Sequence, residues 1–114
     1  MGSITESILK EIRKRFHEKP DLRIGRRGLH QALIDQAKKL LKKRGGIIKV
    51  KVLRNIAESR SETEIIAREL ASRIGANFVK VIGRSIVIAD LDMINKRRQR
   101  EANKQQTLPL MRTR

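Results

Sequence analysis

At 114 residues the chain is the size of one domain, and 28 Lys and Arg against 12 Asp and Glu give it a formal charge of +16. A solvated surface on a small domain usually carries a charge of about 2 to 8, so this excess points to a polyanionic partner, RNA or DNA. Disulfides and thiolate metal sites are excluded because cysteine is absent, and no apolar run nears the roughly 20 residues of a membrane span, so a cytoplasmic protein without a membrane partner is expected.

In the first segment Ser3 and Glu6 have capping-box spacing, and Ile4, Ile8, Ile12 and Phe16 recur every four residues, which predicts an amphipathic helix ended by Pro20. Asp21 to Ile24 alternates polar with apolar and reads as a brief strand. After Gly25-Arg26-Arg27-Gly28 a second helix is predicted from about Leu29 to Arg44. Leu29, Leu33, Ala37 and Leu40 lie on one side of it and Lys38, Lys39, Lys42 and Lys43 on the other, and Gly45 and Gly46 stop it.

Ile47 to Leu53 reads as a strand with Ile48, Val50 and Val52 on one face and Lys49 and Lys51 on an opposite, basic face. Ser61 and Glu64 suggest a second capping box. Thr63, Ile66, Ala67, Leu70 and Ile74 form the buried stripe of a third helix that closes at Gly75, with balanced charge and a structural rather than ligand-facing role. Phe78 to Ile82 and Ser85 to Ala89 should pair as an antiparallel hairpin, because Gly83-Arg84 suits a two-residue type II′ turn. From Asn95 to Arg114 the composition turns basic, with Ala102 the only apolar residue before Leu108. A stretch of that kind builds no core, and it should be mobile until a partner orders it, even if helical to about Gln106.

The element order is helix, strand, helix, strand, helix, strand, strand, an α/β two-layer architecture with a four-stranded mixed sheet. Residues 1–92 form the domain in this reading and 93–114 a basic C-terminal extension.

The informative motif is the Gly25-Arg26-Arg27-Gly28 loop between a strand and a helix. Glycines allow close backbone approach to a ligand, the helix N-terminus beyond supplies free N–H groups and a positive dipole end, and Arg26 and Arg27 can fork onto phosphate oxygens. Two glycines three apart often mark nothing but a turn; here the loop also opens the helix that bears Lys38, Lys39, Lys42 and Lys43. His30 stands next to the loop and is a further candidate for phosphate or ribose, while His17 reads as a helix-end residue. Lys96, Arg97, Arg98 and Arg100 of the extension complete the candidate RNA-binding set. With two Phe and no Trp or Tyr there is no aromatic platform for base stacking, so phosphate contacts and shape should carry the binding.

The loop is neither a Walker sequence nor a dinucleotide fingerprint, so no cofactor is expected. Neither histidine falls in a metal spacing or beside a nucleophile, and Asp90 and Asp92 read as polar residues ending the last strand rather than a metal site. No catalytic set is therefore expected, no small-molecule substrate and no enzyme activity.

These residues together resemble the CRM domain (chloroplast RNA splicing and ribosome maturation), the YhbY family in its stand-alone prokaryotic form. The likeness lies in Lys19-Pro20, Ile24 to Leu29, Ile48 to Lys51, and Gly75 leading into Val79 to Arg84, and spans about residues 4 to 90. It implies a fold like the C-terminal domain of translation initiation factor three and a G-x-x-G loop, here Gly25 to Gly28, used on RNA. It also implies action on large-subunit ribosomal RNA or its precursor in ribosome assembly. Two other readings stay open on charge and tail: an integral structural ribosomal protein, and a chromatin-type binder of duplex DNA.

Overall fold

Thr5, not Ser3, is the residue whose side chain opens the first helix: its hydroxyl accepts from the Ile8 N–H at 3.2 Å, whereas Ser3 lies outside the described residues. The computed structural model describes residues 4–57 and 59–112, with 103–112 as backbone only. Helix α1 (Glu6–Phe16) buries Ile8 and Ile12, while Ile4 precedes the helix and is exposed. Each fully buried isoleucine contributes about 1.5–3 kcal/mol, more than the exposed Arg13–Glu6 pair of the same helix can offer.

Strand β1 (Leu22–Ile24), helix α2 (Gln31–Lys43), strand β2 (Ile47–Val52), helix α3 (Arg60–Ile74), the hairpin of β3 (Phe78–Ile82) and β4 (Ser85–Ala89), and helix α4 (Leu91–Arg112) follow in that order. The strands form one mixed sheet in the order β1-β2-β4-β3. β1 and β2 are parallel and joined through α2, while β4 runs antiparallel to both β2 and β3. The hairpin is as the alternation predicts: Gly83 takes a left-handed φ of 61° and no non-glycine residue among those described, Arg84 included, has positive φ, the pattern of a type II′ turn.

One sheet face, with Ile24, Ile48, Val50, Val52, Ile86 and Ile88, packs against the apolar sides of α2 and α3. On α2 that side is Leu33, Ile34, Ala37 and Leu41, with Leu29 and Leu40 only partly buried, and α2 starts at Gln31 rather than Leu29. The opposite face carries Ile47, Val87 and Ala89 against α1 and the first turn of α4. Helices thus cover both faces, α1 adding a partial layer to the expected two.

That second cluster corrects the reading of β2's other face as a basic surface. Lys49 is only 8% exposed and its ammonium donates to the Phe16 and Glu18 carbonyls, each at 2.6 Å, at the C-terminus of α1. Beside it the Arg15 guanidinium donates to the Ile47 carbonyl and pairs with Glu18 and Asp21, and Arg44 reaches the same two carboxylates from the end of α2. Alternation along β2 gives the side on which Lys49 lies; it does not say that α1 covers that side.

The cap of α3 also sits two residues earlier than the Ser61–Glu64 spacing suggests. The Ser59 hydroxyl accepts from the Glu62 N–H and donates to the Glu62 carboxylate, both at 3.2 Å, so a serine and a glutamate three apart close the N-terminal end of the helix through the hydroxyl. Thr63 is buried, and its hydroxyl donates to the Ser59 carbonyl.

The step from residue 92 to 93, where the basic extension is expected to begin, lies inside the first turn of α4, in which Leu91 and Ile94 are buried. Asp90 opens this helix, its carboxylate accepting from the Met93 N–H at 3.1 Å. Close approach is possible because residue 46 is glycine: it holds a φ of 101°, and a Cβ there would stand 2.9 Å from Ile94 Cγ1.

Candidate nucleic-acid interface

The Gly28 N–H donates to the Gly25 carbonyl at 2.9 Å, closing a four-residue turn with Arg26 and Arg27 at its two corners, both exposed. Gly28 adopts a left-handed φ of 60° as the chain leaves the turn, a conformation that costs a residue with a Cβ about 1–2 kcal/mol. The stem is fixed on one side by the Leu53 N–H, which donates to the Ile24 carbonyl at 3.0 Å. Leu53 also lies 3.4 Å from the place a Gly25 Cβ would take. The arginines are therefore presented from a braced corner, and Leu53, which sequence spacing marks only as the end of a strand, is part of its base.

Leu29 anchors the chain on the core, and His30 then occupies the N-cap position of α2 without a side-chain cap hydrogen bond. Helices α1, α3 and α4 each have a carboxylate in the first turn, Glu6, Glu62 and Asp92, and α2 has none. The first-turn amides and the positive dipole end of α2, which starts at Gln31, four residues after Arg27, thus lack the usual protein-borne negative charge. His30 Nδ1 is buried without a hydrogen-bond partner among the described residues.

Lys38, Lys39, Lys42 and Lys43 are all exposed on α2, with Lys38 above Lys42 and Lys39 above Lys43 at i, i+4 spacing. At 1.5 Å per residue, Lys43 stands roughly 18 Å along the axis from Gln31. The structure brings Lys42 and Lys43 together with Arg97 and Arg100 around an open groove of about 420 Å³ between α2 and α4, whose wall also includes Gly45, Met93 and the acidic residue Glu101. It does not bring the α4 cations to Arg26 and Arg27.

Arg97 and Arg98 have an internal role that sequence distance conceals. Glu11 accepts from Arg97 at 3.0 Å and from Arg98 at 2.7 Å, so the carboxylate of α1 holds two cations of α4, and Arg98 also donates to the Ser7 hydroxyl. Burial pushes the Glu11 carboxyl up, but the hydrogen bonds and charges of Arg98 and Arg97 outweigh it and hold it below its ordinary value. These two guanidinium groups are about a third exposed, 32% and 34%, while Lys96 and Arg100 are free of carboxylate partners closer than 4.0 Å among the described residues. The apolar patch of Leu108, Leu110 and Met111 lies outside the described side chains.

Asp90 is a helix cap, His17 is exposed, and the described residues hold no group of three or more His, Cys, Asp or Glu placed to take a metal. No helix among them is long and apolar enough to cross a membrane.

Three comparisons bear on this arrangement. The profile of the CRS1/YhbY (CRM) domain matches residues 4–89, which takes in the turn, α2 and the whole sheet. Among solved structures, the chain is similar to the hypothetical protein SAV1595 from Staphylococcus aureus, a protein for which RNA binding is itself a proposal. The two share 28% identity at a TM-score of 0.60 over 76% of this chain and 88% of that one. None of the curated proteins compared matches the sequence. Because the matched profile spans most of the chain and every strand of its sheet, the protein belongs to the CRS1/YhbY (CRM) domain family.

Proposed function

We propose that this protein binds structured RNA, with large-subunit ribosomal RNA or its precursor as the partner, and acts in assembly of the ribosomal subunit. The observation that carries the reading is the pair of exposed arginines at the corners of the closed Gly25 to Gly28 turn, just ahead of a helix start with no carboxylate in its first turn. A guanidinium at each corner can fork onto a phosphate, and the α2 amides add donors to the same anion. Lys38, Lys39, Lys42 and Lys43 extend positive charge along α2, and beyond Ile94 the basic part of α4, with Lys96 and Arg100, settles on the RNA. Family membership and the likeness to SAV1595 support RNA over a chromatin-type duplex DNA partner.

The test is binding of Arg26→Ala with Arg27→Ala to ribosomal RNA at fixed salt. Affinity should fall, and two lost phosphate contacts should reduce the log-log salt slope by roughly 1.4 to 1.8. Unchanged affinity removes the proposal.

The basic run on α4 favours a second reading, a permanent ribosomal protein whose extension stays threaded in RNA. Sedimentation in high salt decides between the two: a permanent component remains with mature subunits, and an assembly factor appears with precursors alone.

A further inference from the structure

Helix α1 covers only one end of the sheet face on which it packs. Because alternate residues share a side, Lys51 lies on the same face as Ile47, Ser85 on the face of Val87 and Ala89, Ile82 on that of Phe78, and Arg23 opposite the side of Leu22 and Ile24. Cross-strand register then puts Arg23 beside Lys51, Lys51 beside Ser85, and Ser85 beside Ile82, one row across all four strands. At about 4.8 Å between neighbouring strands the row is roughly 14 Å wide. The helix ends at Phe16, and its last carbonyls are tied to Lys49, one row short of this line.

Arg23 and Lys51 are exposed in that row, Lys80 is exposed one row back on the same face, across from Val87, and Ile82 is 54% exposed, one of few large apolar side chains left to solvent among the described residues. An open groove of about 330 Å³ runs beside it, walled by Arg13, Phe16, His17, Lys80, Ile82 and Ser85. Neither the row nor the groove wall includes a carboxylate. Through Ile24 the row runs directly into the Gly25 to Gly28 turn.

We infer that this uncovered row is a track for an unpaired RNA segment continuing from the Arg26-Arg27 turn, an inference that rests on the RNA binding proposed above. Cations spaced around an exposed aliphatic side chain suit a ligand that offers phosphates and free base faces at once. A single strand does so; a duplex encloses its bases and has nothing to set against Ile82. The Ser85 hydroxyl, at the centre of the row, can donate or accept, which matches the 2′-hydroxyl and base edges of a splayed strand.

The experiment compares two RNAs at fixed salt on the full chain: a stem-loop that binds the wild type, with blunt ends, and the same stem-loop with unpaired extensions of about eight nucleotides. Unfolding midpoints are measured in parallel, and since Lys51, Lys80 and Ile82 are exposed, the variants should keep the wild-type midpoint. The extension should tighten wild-type binding by about fivefold or more. Lys51→Gln with Lys80→Gln, and separately Ile82→Ser, should abolish that gain and leave blunt stem-loop affinity within about twofold. Arg26→Ala with Arg27→Ala should weaken both RNAs. If the extension adds nothing to wild-type binding, as it would on a face meant for a protein, the track is refuted. It is refuted equally if the lysine variant weakens blunt and extended RNAs alike, which a general field effect would produce. Should the arginine variant leave blunt binding unchanged while the row variants still remove the extension's gain, the reading of the turn fails and the track stands.

Discussion

The ammonium of Lys49 stands at the end of α1 and donates to the Phe16 carbonyl oxygen at 2.6 Å. That bond supplies one of the donors that a helix C-terminus lacks, the second bond, to the Glu18 carbonyl, ties down the chain just past the cap, and the charge is favourable at that end of the dipole. Lys49→Met keeps the bulk but leaves those carbonyls without their donor. It should cost about 1–3 kcal/mol, read as a lower urea midpoint at unchanged slope. Lys51→Met, one row away and exposed, should stay within about 0.5 kcal/mol.

Gly46 and Gly28 both hold positive φ, yet they should respond differently to alanine. At Gly46 the new Cβ would press on Ile94 Cγ1 at 2.9 Å and on the Asp90 carbonyl oxygen at 3.2 Å, in a left-handed backbone. Gly46→Ala should cost about 2–4 kcal/mol and speed amide exchange in the first turn of α4. Gly28 has nothing within 4 Å of that position, so Gly28→Ala should cost only the conformational term, about 1–2 kcal/mol.

The Glu11 bridge gives the α1–α4 contact a pH dependence of known sign. Its carboxyl is held below the ordinary value in the fold, so its stabilising contribution is complete above the unfolded pKa, about 4.3, and is lost as pH falls through the lower folded value. Glu18, depressed chiefly by its hydrogen bond from Arg15, adds in the same direction. Urea midpoints should therefore hold between pH 7 and about 5 with respect to these groups and fall below about pH 4. Glu11→Gln should flatten part of that fall and lower stability at pH 7.

The α2 lysines make no ion pair closer than 4.0 Å among the described residues, so neutralising them tests electrostatics with little structural cost. Lys38→Gln with Lys42→Gln should lower RNA affinity uniformly across RNA sequences and reduce the salt slope, while thermal stability stays level or rises as self-repulsion is relieved. Arg98→Gln should do the reverse, moving stability more than the slope, because its guanidinium is spent on Glu11 and Ser7.

What the sequence revealed and what it hid divide along chain distance. The hairpin over Phe78 to Ala89, most of the α3 stripe and the Gly25 to Gly28 turn depend on neighbours within a few residues and are in place, while the α2 stripe keeps Leu33 and Ala37 but is rotated toward Ile34 and Leu41. A period of two puts Lys49 on a basic face of β2 without saying what covers it, and the cover, α1, comes from more than 30 residues upstream. Arg97 and Arg98 look like free tail cations until Glu11, 86 and 87 residues away, is placed beside them. The Ser61–Glu64 spacing marks a cap two residues too late, because a serine three residues ahead of a glutamate occurs at Ser59 and Glu62 as well. The row of Arg23, Lys51, Ser85 and Ile82 exists only once strand order and register are known.

The two margins of the sheet, β1 and β3, carry one more consequence. An unpaired strand invites another copy to add on, but β1 has three residues before the chain bends into a corner of two arginines, and β3 carries Lys80 and closes at a glycine hairpin. Copies meeting margin to margin would set like charges against each other over very few backbone bonds. Crowded side by side on one transcript, such molecules would remain separate beads and would not fuse into a shared ribbon.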